Sequence, residues 1–155
     1  QKDLNLRVKG REGFRPFAPA VLAEFADEWF DLSAASPYML RTTQVAEQHL
    51  VACADEPEGF MQRAQVRRST IPACTHIDGS ARVQTVDPDM HPEFHALLTE
   101  WNRLTGCPVL VNTSFNVADE PVVCTPEDAV ISARKAHLDL LVMEDCVLDS
   151  SALAT

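Results

Sequence analysis

The order of apolar patterns in this 155-residue sequence predicts an α/β layer architecture. Three observations carry the prediction. Phe94, Leu97, Leu98, Trp101 and Leu104 recur at helical spacing and are followed at once by the short apolar run Val109-Leu110-Val111. Thr125-Pro126-Glu127-Asp128 has the pattern of a capping box with proline at the first helical position. A second apolar run, Leu138 to Met143, follows that start at the distance a helix needs. Helix, strand, helix and strand at these intervals describe a sheet with helices packed on it.

Each element follows from its own residues. Leu22, Phe25, Ala26 and Trp29 predict a helix over 21–31, and Tyr38 to Val45, rich in aromatic and β-branched residues, predicts a strand. Residues 47–70 keep neither period. They contain Asp55-Glu56-Pro57-Glu58-Gly59 and then Arg63, Arg67 and Arg68, which reads as a surface excursion with room for a short helix. Arg82 to Val86 alternates and forms a strand after a turn at Asp78-Gly79. Pro92 and Gly106 bracket a helix over 92–105, and Pro108 opens a buried strand over 108–111. A helix over 126–136 and a strand over 138–143, pairing in the same sheet, complete the reading. No repeat and no low-complexity tract interrupts it.

With 46% apolar and 23% charged residues the chain is globular, and its length suits one domain over 1–155. No apolar run approaches the ~20 residues of a membrane span, and no basic segment leads into an apolar one as in a secretory signal. A first residue of Gln1 points to a fragment or a processed product. The net charge of −10 repels phosphate backbones, which argues against nucleic acid and anionic membranes as partners. Yet residues 1–15 hold five bases (Lys2, Arg7, Lys9, Arg11, Arg15) and two acids (Asp3, Glu12), a local surplus of +3. A cationic segment on an acidic protein suits a small anion. The five cysteines form no Cys-x-x-Cys pair, and reduced thiols in a cytoplasmic protein are the expectation.

Three segments carry candidate chemistry. In Lys9-Gly10-Arg11-Glu12-Gly13-Phe14-Arg15, three cations among two glycines can wrap a phosphate; a solvated basic loop is the alternative. In Cys74 to Arg82, an extended chain would put Cys74, His76 and Asp78 on one face, as in a metal or acid–base cluster. No fourth ligand stands at a suitable spacing, so no metal is assigned, and His76 beside Asp78 is also the pattern of a structural hydrogen bond. Arg82 enters an alternating strand, where it either meets an anion or faces solvent. Asn112-Thr113-Ser114-Phe115-Asn116 ends a strand, which is where open α/β sheets take ligands; a plain Asn/Ser turn fits as well. No Walker loop, Gly-x-Gly-x-x-Gly or placed nucleophile–base pair is present.

At these same segments the sequence resembles the C-terminal domain of the O-carbamoyltransferases that modify antibiotics and nodulation factors. The matching text is Val8-Lys9-Gly10-Arg11-Glu12 with Phe14-Arg15-Pro16-Phe17-Ala18-Pro19, then Ser36-Pro37-Tyr38-Met39. It continues through Thr75 to Val86 (Thr-His-Ile-Asp-Gly-Ser-Ala-Arg-Val-Gln-Thr-Val), Pro108 to Asn116, and Glu120-Pro121-Val122-Val123-Cys124-Thr125-Pro126-Glu127-Asp128-Ala129. The likeness extends over most of residues 4–148.

The resemblance implies a YrdC-like α/β fold, an open twisted mixed sheet with flanking helices. It implies binding of ATP, with Mg2+, and of carbamoyl phosphate, formation of carbamoyl-adenylate and release of pyrophosphate. Carried over residue by residue, it gives Lys9, Arg11 and Arg82 catalytic roles. It makes Lys9, Arg11, Arg15, His76, Arg82, Asn112, Ser114 and Asn116 the binding set. A larger N-terminal domain of the actin-like ATPase superfamily, carrying iron, would pass the carbamoyl group to a hydroxyl of a natural product. Neither that domain nor the Gly-Pro-Arg-Ala-Leu-Gly segment expected just upstream is among these 155 residues. The chain is therefore expected to be a fragment, or one part of a split enzyme, that meets the N-terminal domain in cis or in trans. A non-catalytic nucleotide-binding or docking module is the competing expectation, and the negative charge opposes a double-stranded-RNA binder.

Overall fold

Burial on both faces decides the sheet. In the structure, a computed structural model that describes residues 1–53 and 56–153, β1 (Ala18–Leu22) is buried along its whole length. Such a strand shows no alternation in sequence, which is why Leu22, Phe25, Ala26 and Trp29 read as one helix over 21–31. The structure corrects that expectation: residues 21–22 belong to β1, a 3₁₀ turn follows at Ala23–Phe25, and α1 is only Ala26–Trp29.

The chain divides into two units, Pro16–Thr113 and Gln1–Arg15 with the residues from Ser114 on. In the first unit β1, α1, β2 (Arg41–Gln44), α2 (Phe60–Arg63), β3 (Ser80–Val86), α3 (Pro92–Thr105) and β4 (Val109–Asn112) follow in order. The sheet is open and mixed, with strand order β2-β3-β1-β4. β1 runs parallel to β3 (Ala20 beside Gln84) and antiparallel to β4 (Ala20 beside Leu110), and β2 is antiparallel to β3 (Thr42 beside Arg82). Trp29 and Phe30 pack with Val21, Val83 and Val109 on one face. On the other, Leu98 of α3 seats among Ala20, Leu22 and Val86.

The strand expected over 38–45 is shorter than its composition promised. Tyr38 and Leu40 are exposed, Met39 is left-handed (φ 56), and pairing begins at Arg41. β4 lies at the sheet edge with Val111 40% exposed, so the buried strand expected over 108–111 is half-buried. The excursion over 47–70 has a 3₁₀ turn at Glu47–His49 and the single turn α2. Arg63 and Arg68 both hold Glu56 there, and the His49 ring stacks on Trp29 with centroids 3.7 Å apart. Asp55 of the acidic stretch lies outside the described residues.

In the second unit a single wide turn of π type spans Leu4–Lys9, and α4 (Pro126–Lys135), β5 (Leu140–Met143), β6 (Cys146–Asp149) and α5 (Ser150–Leu153) come later. The capping box of α4 is complete: Thr125 Oγ1 accepts from Asp128 N–H at 3.1 Å, and the Asp128 carboxylate accepts from Thr125 N–H at 3.1 Å. The Cys124 N–H, donating to the same carboxylate at 3.2 Å, and then Thr125 hold the Asp128 carboxyl below the ordinary aspartate range. Thr125→Ala is expected to cost about 1 kcal/mol of stability, read from the urea midpoint. Strand 138–143 does not join the larger sheet. β5 pairs antiparallel with β6 in a hairpin of its own, packed by Leu141 and Leu148 on Ala129, Ala133 and Leu153. No helix among the described residues is long and apolar enough to cross a membrane.

Candidate functional site

The residues that the sequence singles out divide between the two units. Lys9, Arg11, Arg15, Ser114 and Asn116 lie in the unit of Gln1–Arg15 and the residues from Ser114 on. Lys9 ends the π turn, and Gly10 after it takes the left-handed conformation (φ 62) that lets its N–H cap the turn on Asn5 O. The turn aims the Lys9 side chain inward, where the residue is 6% exposed. Its Nζ donates to Ser114 O and Asn116 O, each at 2.7 Å, and to Asn116 Oδ1 at 2.9 Å, with Ser114 Oγ at 3.4 Å. Ser114 Oγ donates to Asn116 Oδ1 at 2.7 Å, Asn116 Nδ2 donates to Glu120 O, and Ala118 N–H closes the clip on Lys9 O. The solvated loop that the glycines allowed is not what forms at Lys9.

Every acceptor around this ammonium is a neutral oxygen. Burial, and then the Arg11 charge, lower the Lys9 pKa from its ordinary value. Arg11 is lowered too, by burial first and then by Arg15, with Glu12 opposing. Arg11 Nε donates to Asn5 Oδ1 at 2.6 Å. Asn5, fully buried, donates to Arg15 O at 2.7 Å and so shapes the 10–15 loop. Arg15 pairs with Glu12 in an exposed ion pair at 3.1 Å. A buried cation with a second cation beside it and no carboxylate among its bonds is a place that an anion stabilises. The sequence reading missed Asn5; its only signal was an amide in a turn of otherwise apolar and basic residues.

The other unit holds His76, Arg82 and Asn112. Cys74, His76 and Asp78 do not share an extended face: the chain turns there, with Gly79 at φ 80. Asp78 Oδ1 accepts from Ser80 N–H at 3.0 Å and Ser80 Oγ at 2.7 Å, bonds that lower its pKa, and His76 Nδ1 meets Ser80 Oγ at 2.9 Å. Because the Ser80 hydroxyl proton goes to Asp78, His76 carries its proton on Nδ1. Burial pushes the Cys74 thiol up to about 12. These groups form a structural turn at the entry of β3, and among the described residues no three His, Cys, Asp or Glu side chains gather as metal ligands.

Register places Thr42, Arg82, Gln84, Ala18 and Asn112 on one face of the sheet, beyond the part that α3 covers. Arg82 is exposed, with no hydrogen-bond or ion-pair partner among the described residues. Asn112 Nδ2 donates to Gln84 Oε1, and Gln84 Nε2 to Pro37 O at 3.1 Å. Gln84 was also missed as a site residue, although it stands in the same string as Arg82. An uncharged amide pair beside an unpaired guanidinium suits a small anion that also carries an amide-like group.

Comparison with known proteins finds relatives over nearly the whole chain. The family model described as "Carbamoyltransferase C-terminus" matches residues 1–150. An uncharacterized protein of Synechocystis (sll1178) is 47% identical over 154 residues, 98% of this chain and 25% of that protein. The nodulation protein NolNO of Sinorhizobium fredii is 36% identical over 90% of this chain and 18% of its own length. The 3'-hydroxymethylcephem-O-carbamoyltransferase of Amycolatopsis lactamdurans is 32% identical over 89% of this chain and 23% of its own. The chain thus spans a quarter or less of the length of these relatives. Its lysine clip and polar sheet face belong to a member of the carbamoyltransferase C-terminal family.

Proposed function

We propose that this chain binds ATP and carbamoyl phosphate and forms carbamoyl-adenylate, as the activating part of a carbamoyltransferase. The observation that carries the reading is the buried Lys9 ammonium, bonded only to neutral oxygens and flanked by Arg11. Carbamoyl phosphate, ATP and water give carbamoyl-adenylate, pyrophosphate and phosphate. Negative charge gathers on the leaving pyrophosphate, and fixed cations lower that barrier. Lys9 and Arg11 supply such charge, with Ser114 and Asn116 as neutral donors and acceptors and Arg15 at the rim. Arg82 and Asn112 are assigned to carbamoyl phosphate, and His76 to the turn that leads into β3, the strand of Arg82. Mg2+ would ride on the triphosphate oxygens and water, which requires no carboxylate cage.

Transfer of the carbamoyl group to a hydroxyl of a natural product, an antibiotic precursor among the candidates, is assigned to an iron-bearing N-terminal domain in cis or in trans. ATP dependence and reduced thiols fit a cytoplasmic enzyme. A non-catalytic nucleotide-binding or docking module is the second reading. It is favoured by the Lys9 protons, all of which have internal acceptors.

The test is exchange of labelled pyrophosphate into ATP by the chain, with Mg2+ and with or without carbamoyl phosphate. Carbamoyl-phosphate-dependent exchange is expected, falling about 100-fold or more in Arg82→Ala and in Ser114→Ala. ATP binding without exchange establishes the second reading. Absence of both removes nucleotide chemistry from this chain.

A further inference from the structure

Gln84 lies partly buried at the middle of the polar sheet face, and its hydrogen bonds fix more than its own position. The carbonyl of Pro37 can only accept, so the Gln84 amide nitrogen must face it, as the 3.1 Å contact has it. The Gln84 oxygen then faces Asn112, which must answer with its own nitrogen, since two amide oxygens would repel. Asn112 Oδ1 is thereby the end turned away, an acceptor with no donor on it among the described residues.

The chain of polarity has a firm anchor. Ser36 Oγ donates to Val83 O and Ser36 N–H to Thr85 Oγ1, both at 2.9 Å, and Thr85 N–H donates to Ser36 O at 3.0 Å. Ser36 and Thr85 are buried, so the Pro37 carbonyl has one place to be. The two amides meet across β1. Strands in a sheet lie about 4.8 Å apart, so β3 and β4 are separated by roughly twice that. Only small residues beneath leave the path open, and β1 presents Ala18 and Ala20 there. Arg82 stands two residues before Gln84 on the same face, roughly 7 Å along the strand.

We infer that Gln84 is a positioning residue for specificity: by fixing the polarity of the Asn112 amide, it presents Oδ1 to the NH2 of a carbamoyl ligand whose phosphate Arg82 receives. The inference rests on carbamoyl phosphate being the substrate. An acetyl group matches a carbamoyl group in size but offers a methyl where Oδ1 needs a donor. A site built around that bond rejects the analogue by leaving its own acceptor unpaired.

The experiment is calorimetric titration of the full chain, at low temperature, with freshly prepared carbamoyl phosphate and with acetyl phosphate. Wild type is expected to bind carbamoyl phosphate at least about tenfold tighter. Gln84→Met keeps the volume but frees the Asn112 amide to turn over, and the ratio is expected to fall to within about twofold with acetyl phosphate binding unchanged. Gln84→Glu still accepts from Asn112 Nδ2, so both affinities fall beside the added charge while the preference stays. A wild type that binds both equally overturns the inference and leaves phosphate binding standing. A preference that survives Gln84→Met overturns the role of Gln84 alone. No binding of either ligand overturns the carbamoyl phosphate reading and the inference with it. The wild type also tests the point without a variant. In its 15N spectrum carbamoyl phosphate should shift the Asn112 side-chain amide while acetyl phosphate does not, and equal shifts would contradict the assignment.

Discussion

Lys9→Met is expected to destabilise the chain by about 2–4 kcal/mol, because it strips a shared donor from several acceptors at once. The carbonyls of Ser114 and Asn116 depend on this one ammonium, and Asn116 Oδ1 shares it with the Ser114 hydroxyl. Methionine fills the volume and answers none of them. Lys9→Arg should recover only part of the loss, since a planar guanidinium cannot converge three protons on a tight turn. Urea denaturation followed by circular dichroism reads both variants; a loss below about 0.5 kcal/mol in Lys9→Met would mean that the 114–116 turn holds itself.

The sign of the pH effect follows from the lowered pKa of this lysine. The native chain releases the proton below 10.5 while the unfolded chain still holds it. Over that window the unfolded state binds more protons, so the contribution of Lys9 to stability rises with pH. Its pull on an anion falls over the same window, and ATP affinity should decline as the pH rises toward 10.5, ahead of an ordinary lysine.

Leu98→Ala is expected to cost about 2–5 kcal/mol. α3 has fourteen residues, and Leu98 is the one of them that is buried, at 0% exposure. It fills the space over Ala20, Leu22 and Val86, while Leu97 and Leu104 are exposed and Trp101 is tied at its rim by Nε1–H to Val109 O. The alanines of β1 cannot move up to close the gap, so most of the cavity remains. Leu98→Met, which keeps the volume, should cost less than about 1.5 kcal/mol. Equal midpoints for the two variants in urea would show that α3 is held elsewhere.

Local codes were the legible part of this sequence. Thr125, Pro126 and Asp128 announce α4 because a capping box is complete within four residues. Pro92 and Gly106 bracket α3 just as locally, the proline in its first turn and the left-handed glycine at its C-cap. Burial that comes from distant partners was not legible. β1 looked like half a helix because it is buried along its whole length and shows no alternation, while the strands that pair with both of its edges lie far away in sequence. β5 looked like a strand of the larger sheet because an apolar run does not name its partner. Among the site residues, Lys9, Ser114 and Asn116 were visible as residue types, and the structure joins them. That Lys9 turns inward depends on the left-handed Gly10 and on Asn5, and no spacing rule reports such a pair. Gln84 escaped notice because an amide in a strand carries no charge to draw attention.

The parallel pairing of β1 has a consequence for how the chain acquires its structure. Both neighbours of Ala20, at Gln84 and Leu110, are far down the chain, so no hairpin can start this part of the sheet. Loop closure must come before any pairing energy returns, which makes for slow, topology-limited folding. During synthesis at about 5–20 residues per second, Ala18–Leu22 emerges as an apolar segment with two bare edges and waits seconds for its partners. The strand that organises the finished sheet is thus the segment most in need of a chaperone before the sheet exists.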